Sequence, residues 1–123
     1  MSRRILVVDD QEDSRRILRD LLTNGGFEII EALTGEQAVV MAEEHTPALI
    51  LMDIQLPGID GYEATRQIKA KPALRATPLI VVTSYALSGD ETKAFAAGAD
   101  AYVSKPFSPR ALLAKVREFL GPS

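Results

Sequence analysis

The sequence has 123 residues, 46% of them hydrophobic and 25% charged, which is enough for one globular domain with a real core. A net charge of −3 argues against nucleic acid as the main partner, because phosphate binding relies on excess Lys and Arg. The sequence contains no cysteine, which excludes disulfides, thiolate catalysis and Cys-ligated zinc. No apolar stretch approaches membrane-spanning length, and we expect a cytoplasmic protein without a membrane partner.

Predicted strands and helices alternate along the first half of the chain. The first strand is the apolar run 5–8, and the first helix carries an apolar stripe and ends at the glycine pair 25–26. A second strand at about 27–31 precedes a second helix, which the capping box Thr34-Gly35-Glu36-Gln37 opens and Pro47 follows. The third strand is the apolar run 48–52, and the third helix opens at Asp60.

The alternation continues to the end of the chain. The fourth strand is the run 79–83, and Ser88-Gly89-Asp90-Glu91 opens a fourth helix that ends at Gly98. The fifth strand is short, and Ser108-Pro109 opens a fifth helix, whose expected apolar face is Leu112, Leu113, Val116, Phe119 and Leu120. This order predicts an α/β fold with a doubly wound, five-stranded parallel sheet and right-handed crossovers. Periodicity alone does not choose between the two common strand orders.

Polar residues stand where four of the predicted strands end. Asp9 and Asp10 follow the first strand, Asp53 follows the third, Thr83 ends the fourth and Lys105 comes just after the fifth. Ligands of open α/β sheets bind outside the carboxyl ends of the strands. These side chains converge there if strands one, three, four and five are neighbours, which the order 2-1-3-4-5 provides.

The chemistry of this set points to phosphate and a hard cation. Two carboxylates about 4 Å apart repel by roughly 4 kcal/mol at an effective dielectric of about 20, so a bound cation is the simplest reason to keep three together. Mg²⁺ often combines one or two carboxylates with waters and a phosphate. Lys105 can act as a point charge on phosphate, and the hydroxyl of Thr83 can donate to a phosphoryl oxygen.

Over essentially its whole length the chain resembles the receiver domain of two-component response regulators, the CheY-like family. Four segments in order carry the resemblance: Val7-Val8-Asp9-Asp10, the residues 53–61, Val82-Thr83-Ser84 and the residues 98–107. The resemblance implies a flavodoxin-like (βα)5 fold with the order 2-1-3-4-5. We expect a receiver domain over 1–123 without a separate output domain, either stand-alone or excised from a larger hybrid kinase or regulator.

The resemblance also implies roles for the acidic residues. Asp53 matches the phosphoacceptor of the family. Asp10, Asp53 and the backbone carbonyl of Gln55 match the direct Mg²⁺ ligands, and Asp9 matches a residue that holds the metal through water. The implied protein catalyses its own phosphorylation and dephosphorylation and is not a conventional turnover enzyme.

Further residues match the phosphate contacts and the conformational switch of the family. Thr83 and Lys105 match the phosphate contacts, and Thr83 and Tyr102 match the switch pair. The Lys105–Pro106 bond is expected to be cis. The implied output surface consists of the fourth helix, the fifth strand and the fifth helix, on which a downstream protein binds.

The implied phosphoryl donor is a histidine kinase or a histidine phosphotransfer protein. In the first helix Leu18 and Leu22 form an i, i+4 pair that can face the sheet, which leaves Ile17 and Leu21 to one side near Ser14. We expect the partner to dock on Ser14, Ile17 and Leu21, although the same apolar residues are also compatible with a purely core role. The arginines Arg15, Arg16 and Arg19 alternate with acidic residues and favour a solvated, mixed-charge face.

The function expected from this resemblance is phosphorylation-activated signalling, in which Asp53 accepts a phosphoryl group from phosphohistidine. A phosphorylation-independent interaction module on the same fold is the alternative. A haloacid-dehalogenase-like phosphohydrolase would need an Asp-x-Asp nucleophile motif after the first strand, and Asp9-Asp10-Gln11 does not match it. A flavodoxin-like cofactor binder would need a Gly- or Ser/Thr-rich phosphate loop there, where acidic residues repel phosphate.

Overall fold

A computed structural model describes residues 3–84 and 90–121 of the protein. The strands are β1 (Arg4–Val8), β2 (Glu28–Ala32), β3 (Leu49–Met52), β4 (Leu79–Thr83) and β5 (Ala101–Ser104). The helices are α1 (Glu12–Asn24), α2 (Gly35–His45), α3 (Gly61–Ala70), α4 (Asp90–Ala97) and α5 (Pro109–Leu120), with a short 3₁₀ turn at Pro72–Leu74. The strands form one parallel sheet in the order β2-β1-β3-β4-β5, which confirms the expected fold and strand order.

The helix starts read from the sequence agree with the structure where it describes them. The hydroxyl of Thr34 accepts a hydrogen bond from the amide of Gln37 at 3.0 Å, and the side-chain oxygen of Gln37 accepts one from the amide of Leu33 at 2.8 Å. Asp60 and Ser108 cap α3 and α5 through their side chains. Ser88 and Gly89, expected to open α4, lie outside the described residues.

The apolar core lies on both faces of the sheet, because β1, β3 and β4 are buried on both sides. Helices α1 and α5 cover one face, and α2, α3 and α4 cover the other. On α5, Leu112 and Val116 of the expected apolar face are buried, whereas Phe119 of the same face is 37% exposed. Phe119 lies in the last turn of α5, beyond the buried pair Leu112 and Val116, so the apolar stripe extends further along the helix than the core does.

Gly61, the first residue of α3, brings this helix against the end of β3. A Cβ atom at this position would lie 2.1 Å from the backbone oxygen of Asp53, so only glycine fits. The amide of Gly61 donates to the carbonyl of Ile54 at 2.8 Å. The segment after β3 is therefore held close to the sheet edge.

No helix among the described residues is long and apolar enough to span a membrane.

Candidate functional site

Three carboxylates meet at the carboxyl ends of β1 and β3. These strands are neighbours, and the amide of Asp53 donates to the carbonyl of Val8 at 3.0 Å. Asp9, Asp10 and Asp53 each offer a carboxylate oxygen, and these atoms all lie within 4.8 Å of one another. Asp9 is 1% exposed and Asp53 is 7% exposed, whereas Asp10 faces solvent. The cluster thus combines two buried charges with one that stays accessible.

Lys105 supplies the positive charge in this cluster. Its backbone amide donates to the carbonyl of Thr83 at 2.8 Å, and the Lys105–Pro106 bond is cis, as expected. Lys105 directly follows β5, the edge strand of the sheet, and its side chain reaches the acidic cluster. The ammonium lies 2.9 Å from Oδ2 of Asp9 and 3.6 Å from Oδ2 of Asp53. Among the residues that the structure describes, the ammonium of Lys105 therefore faces a cluster of three carboxylates, which leaves the cluster with a net negative charge.

The two oxygens of Asp53 have different surroundings. Oδ1 accepts a hydrogen bond from the amide of Ile54 at 2.7 Å, with the amide of Gln55 at 3.4 Å, whereas Oδ2 faces the ammonium of Lys105. Burial raises the pKa of the Asp53 carboxyl, the charge of Lys105 opposes this effect, and the charge of Asp9 adds to it. The backbone amides of Ile54 and Gln55 thus hold the Asp53 carboxylate in a buried position, where binding of a positive charge is favourable.

The other expected site residues lie at the same edge of the sheet. A cleft of about 470 Å³ is lined by Asp10, Gln11, Ser14, Asp53, Gln55, Ser84 and Lys105. Thr83 is the last residue of β4 and is fully buried, and Tyr102 is half-buried on β5 opposite Val81. The structure therefore brings Asp10, Asp53, Gln55 and Lys105 to one cleft, with Thr83 at the end of the strand beside it.

Comparison with known proteins assigns the chain to a family. Residues 5–117 match the family model described as the response regulator receiver domain. The chain belongs to this family. It is 40% identical over 121 residues to the polar-differentiation response regulator DivK of Brucella ovis, and the match covers 98% of each chain. Receiver domains signal in two-component systems through phosphorylation and interact with histidine kinases and downstream targets, and this chain is one of them.

Solved structures of similar proteins have the same fold. A putative response regulator from Chloroflexus aurantiacus superposes with a TM-score of 0.93 at 30% identity, and the match covers 98% of each chain. The receiver domain of the sensor histidine kinase PA1611 from Pseudomonas aeruginosa gives a TM-score of 0.91 at 35% identity, covering 98% of this chain and 99% of that one. That structure has a magnesium ion coordinated in its active site cleft.

Two features of this receiver domain were missed from the sequence. Arg15 is 7% exposed and donates to Glu31 and to the backbone carbonyl of Asp9, so the expectation of a solvated face is wrong for it. The hydroxyl of Tyr62 donates to the carboxylate of Asp90 at 3.0 Å and joins α3 to the first residue of α4. Burial, followed by this hydrogen bond, raises the pKa of Tyr62. Both contacts link distant parts of the chain, and no local pattern signals them.

Two of the three expected docking residues, Ser14 and Ile17, line a shallow apolar groove. Ser14, Ile17, Leu18, Lys105, Pro106, Phe107 and Pro109 line this groove, which has a volume of about 230 Å³. Ile17 is 56% exposed, which excludes the purely core role for it, whereas Leu18 is buried. Leu21 is partly buried and packs against the core beneath α1. The groove therefore connects Ser14 and Ile17 of α1 to the segment after β5, next to Lys105.

Proposed function

We propose that this receiver domain accepts a phosphoryl group from a phosphohistidine onto Asp53 in a Mg²⁺-dependent reaction and passes the signal to a downstream protein. The observation that carries the proposal is the convergence of Asp9, Asp10 and Asp53 within 4.8 Å. The ammonium of Lys105 beside Asp9 and Asp53 adds the charge that a phosphoryl group needs. A histidine kinase or a histidine phosphotransfer protein is the proposed donor.

The donor atoms at the cluster fit Mg²⁺, which prefers carboxylate and carbonyl oxygens and retains water. The proposed direct ligands are Asp10, Asp53 and the backbone carbonyl of Gln55. Asp9 suits a role through water, because its two carboxylate oxygens already accept bonds from the amide of Gln11 and from Lys105, each at 2.9 Å. The magnesium ion in the PA1611 receiver structure supports this assignment. Bound Mg²⁺ neutralises charge on the carboxylates and on phosphoryl oxygens.

The Asp53 carboxylate acts as the nucleophile of the proposed reaction. Because the amide of Ile54 holds Oδ1, the other oxygen is oriented towards Lys105 and attacks the phosphorus. The new O–P bond forms as the N–P bond of the donor breaks, and the leaving imidazole takes up a proton from water. Lys105 stabilises the charge on the phosphoryl oxygens, so catalysis rests on positioning and electrostatics. Water later attacks the phosphorus and restores the free carboxylate.

The proposed output is a shift between two conformations. Thr83 ends β4 beside the site, and its hydroxyl is proposed to bond the phosphoryl group. Tyr102 is proposed to turn inward in response, from its half-buried place on the edge strand. The proposed docking face for the downstream protein consists of α4, β5 and α5. Two exposed aromatic side chains on these helices support the assignment, Phe95 of α4 at 45% and Phe119 of α5 at 37%.

The proposed donor docks across the groove beside α1. A histidine on a partner helix has to approach Asp53, and the groove lies next to Lys105, which contacts Asp53. Ile17 offers exposed apolar surface there, and Ser14 lines both the groove and the acidic cleft. Packing of an apolar partner helix on Ile17, with Leu21 beside it on α1, would bring the two reacting groups together.

Incubation with a small acyl phosphate and Mg²⁺, followed by intact-mass measurement, tests the proposal. The wild type is expected to gain the mass of one phosphoryl group, and Asp53→Asn is expected to gain none. Asp13→Asn is the matched control, because Asp13 lies on α1 with its side chain 89% exposed. Labelling of Asp53→Asn at wild-type stoichiometry would show that another residue is the phosphoacceptor. A wild type that accepts no phosphoryl group would favour the phosphorylation-independent module.

A further inference from the structure

A buried guanidinium connects the end of β2 to the acidic cluster. Arg15 is 7% exposed, although it lies on α1 among charged residues. Its Nε donates to Oε1 of Glu31 at 3.1 Å, and its Nη2 contacts the carboxylate of Glu12. Burial of a charge is costly unless the charge is paired and hydrogen-bonded, and here it is both. The remaining bond shows what the guanidinium holds: Nη1 donates to the backbone carbonyl of Asp9 at 2.9 Å.

That bond completes the fixation of Asp9. The amide of Asp9 donates to the carbonyl of Ala32 at 3.1 Å, Oδ1 accepts from Gln11, and Oδ2 accepts from Lys105. The carbonyl bound by Arg15 belongs to the peptide unit between Asp9 and Asp10. The orientation of this planar unit sets the position from which the exposed Asp10 side chain leaves the backbone.

Glu31 anchors the guanidinium from the opposite side. Arg19 donates to Oε2 of Glu31 at 2.9 Å and to Oε1 at 3.0 Å, so two arginines of α1 share this carboxylate at the end of β2. The hydrogen bond from Arg19 is the largest cause that lowers the pKa of Glu31. Glu31 is therefore ionised at neutral pH and holds Arg15 in place against the Asp9 carbonyl.

We infer that Arg15 is a positioning residue for the divalent cation: it orients the Asp9–Asp10 peptide so that the Asp10 carboxylate can act as a ligand. The inference rests on the proposed function, in which Asp10 binds Mg²⁺. Groups that orient metal ligands from outside the coordination sphere typically change metal affinity by about 10–100-fold when removed. Arg15 contacts the backbone of an acidic residue and no reacting atom, so it is not a catalytic residue.

The sign of the effect separates positioning from simple electrostatics. A guanidinium near a cation site repels the cation, so loss of its charge alone would strengthen Mg²⁺ binding. Loss of a positioning bond would weaken it instead. A residue that only stabilises the fold would lower the melting temperature without changing the dissociation constant of the folded protein.

The test is an NMR titration of the full chain with MgCl₂, in which amide chemical shifts give the dissociation constant. Arg15→Gln is expected to bind Mg²⁺ about 10-fold more weakly than the wild type. Arg16→Gln is the matched control, because Arg16 is the next residue of α1, 63% exposed and 3.5 Å from Asp13, and its affinity is expected to be unchanged. Equal or tighter binding by Arg15→Gln would overturn the inference.

A second variant covers the case in which Arg15→Gln does not fold, which thermal melting in EDTA would show. Arg15→Lys keeps the positive charge but replaces the guanidinium by a single ammonium nitrogen. In the wild type, two different nitrogens of the guanidinium donate to Glu31 and to the carbonyl of Asp9. It is also expected to bind Mg²⁺ more weakly, and wild-type affinity in this folded variant would overturn the inference. A wild type without Mg²⁺ binding would refute the proposed function as well, whereas binding that is insensitive to Arg15 refutes only the positioning role.

Discussion

Replacement of Lys105 by Met removes an ammonium that faces two buried carboxylates and preserves most of the side-chain length. In the folded protein this ammonium lies 2.9 Å from Asp9 and 3.6 Å from Asp53. The side chains of Asp9 and Asp53 are 2% and 9% exposed, so water replaces the lost charge only in part. We therefore expect Lys105→Met to destabilise the fold in the absence of divalent cations.

The magnitude follows from these distances. At an effective dielectric of about 20 the two attractions amount to about 5.7 and about 4.6 kcal/mol, before the hydration that the ammonium regains on unfolding is subtracted. Removal of one partner of a buried ion pair costs about 3–5 kcal/mol in proteins, and we expect a loss of this size in the free energy of unfolding. Lys115→Met is the control: Lys115 is 40% exposed and 3.8 Å from Glu118, so its loss is expected to cost less than about 0.5 kcal/mol.

Urea unfolding in EDTA and in MgCl₂ measures the effect. Mg²⁺ is expected to reduce the difference between Lys105→Met and the wild type, because it supplies positive charge at the same cluster. Asp53→Asn added to Lys105→Met is expected to restore stability, since carboxylates within 4.8 Å repel by at least about 3.5 kcal/mol at the same dielectric. A loss below about 1 kcal/mol for Lys105→Met in EDTA, similar to that of Lys115→Met, would refute the idea that this ammonium balances the cluster.

Three further predictions concern the metal, the partner and pH. Asp10→Ala is expected to weaken Mg²⁺ binding in the NMR titration, and an unchanged dissociation constant would place the metal elsewhere. Ile17→Ala is expected to slow phosphotransfer from the cognate donor with little change in stability, because Ile17 is 56% exposed; a loss of about 2–5 kcal/mol would indicate a core role instead. The hydrogen bond from Arg19 lowers the pKa of Glu31, so the stabilisation is present above the unfolded pKa and disappears as pH falls through the lower folded pKa. The melting temperature of Glu31→Gln should therefore fall less than that of the wild type on acidification, and parallel curves would contradict this.

The sequence by itself determined the elements, the strand order and the family. Apolar runs and capping residues act over a few positions, which is why the starts at Thr34, Asp60 and Ser108 are confirmed. The order of strands followed from a requirement of chemistry, since the acidic residues and Lys105 converge only when their strands are neighbours. The second strand moved by one residue, from about 27–31 to Glu28–Ala32, and β1 and β3 each begin one residue away from the predicted start, because strand ends depend on pairing with the neighbouring strand.

Only the tertiary structure decided which charged and apolar side chains are buried. Arg15 reads as a surface residue on its helix, and its burial depends on Glu31, sixteen positions away on β2. Tyr62 and Asp90 meet across α3 and α4, and Ile17 is exposed where the stripe of α1 is wider than its contact with the sheet. Hydrophobic periodicity predicts which residues share one face of a helix or strand. The tertiary arrangement of the elements determines what that face packs against. The ion pairs around the acidic cluster join separate elements, so they exist only once the sheet has brought those elements together.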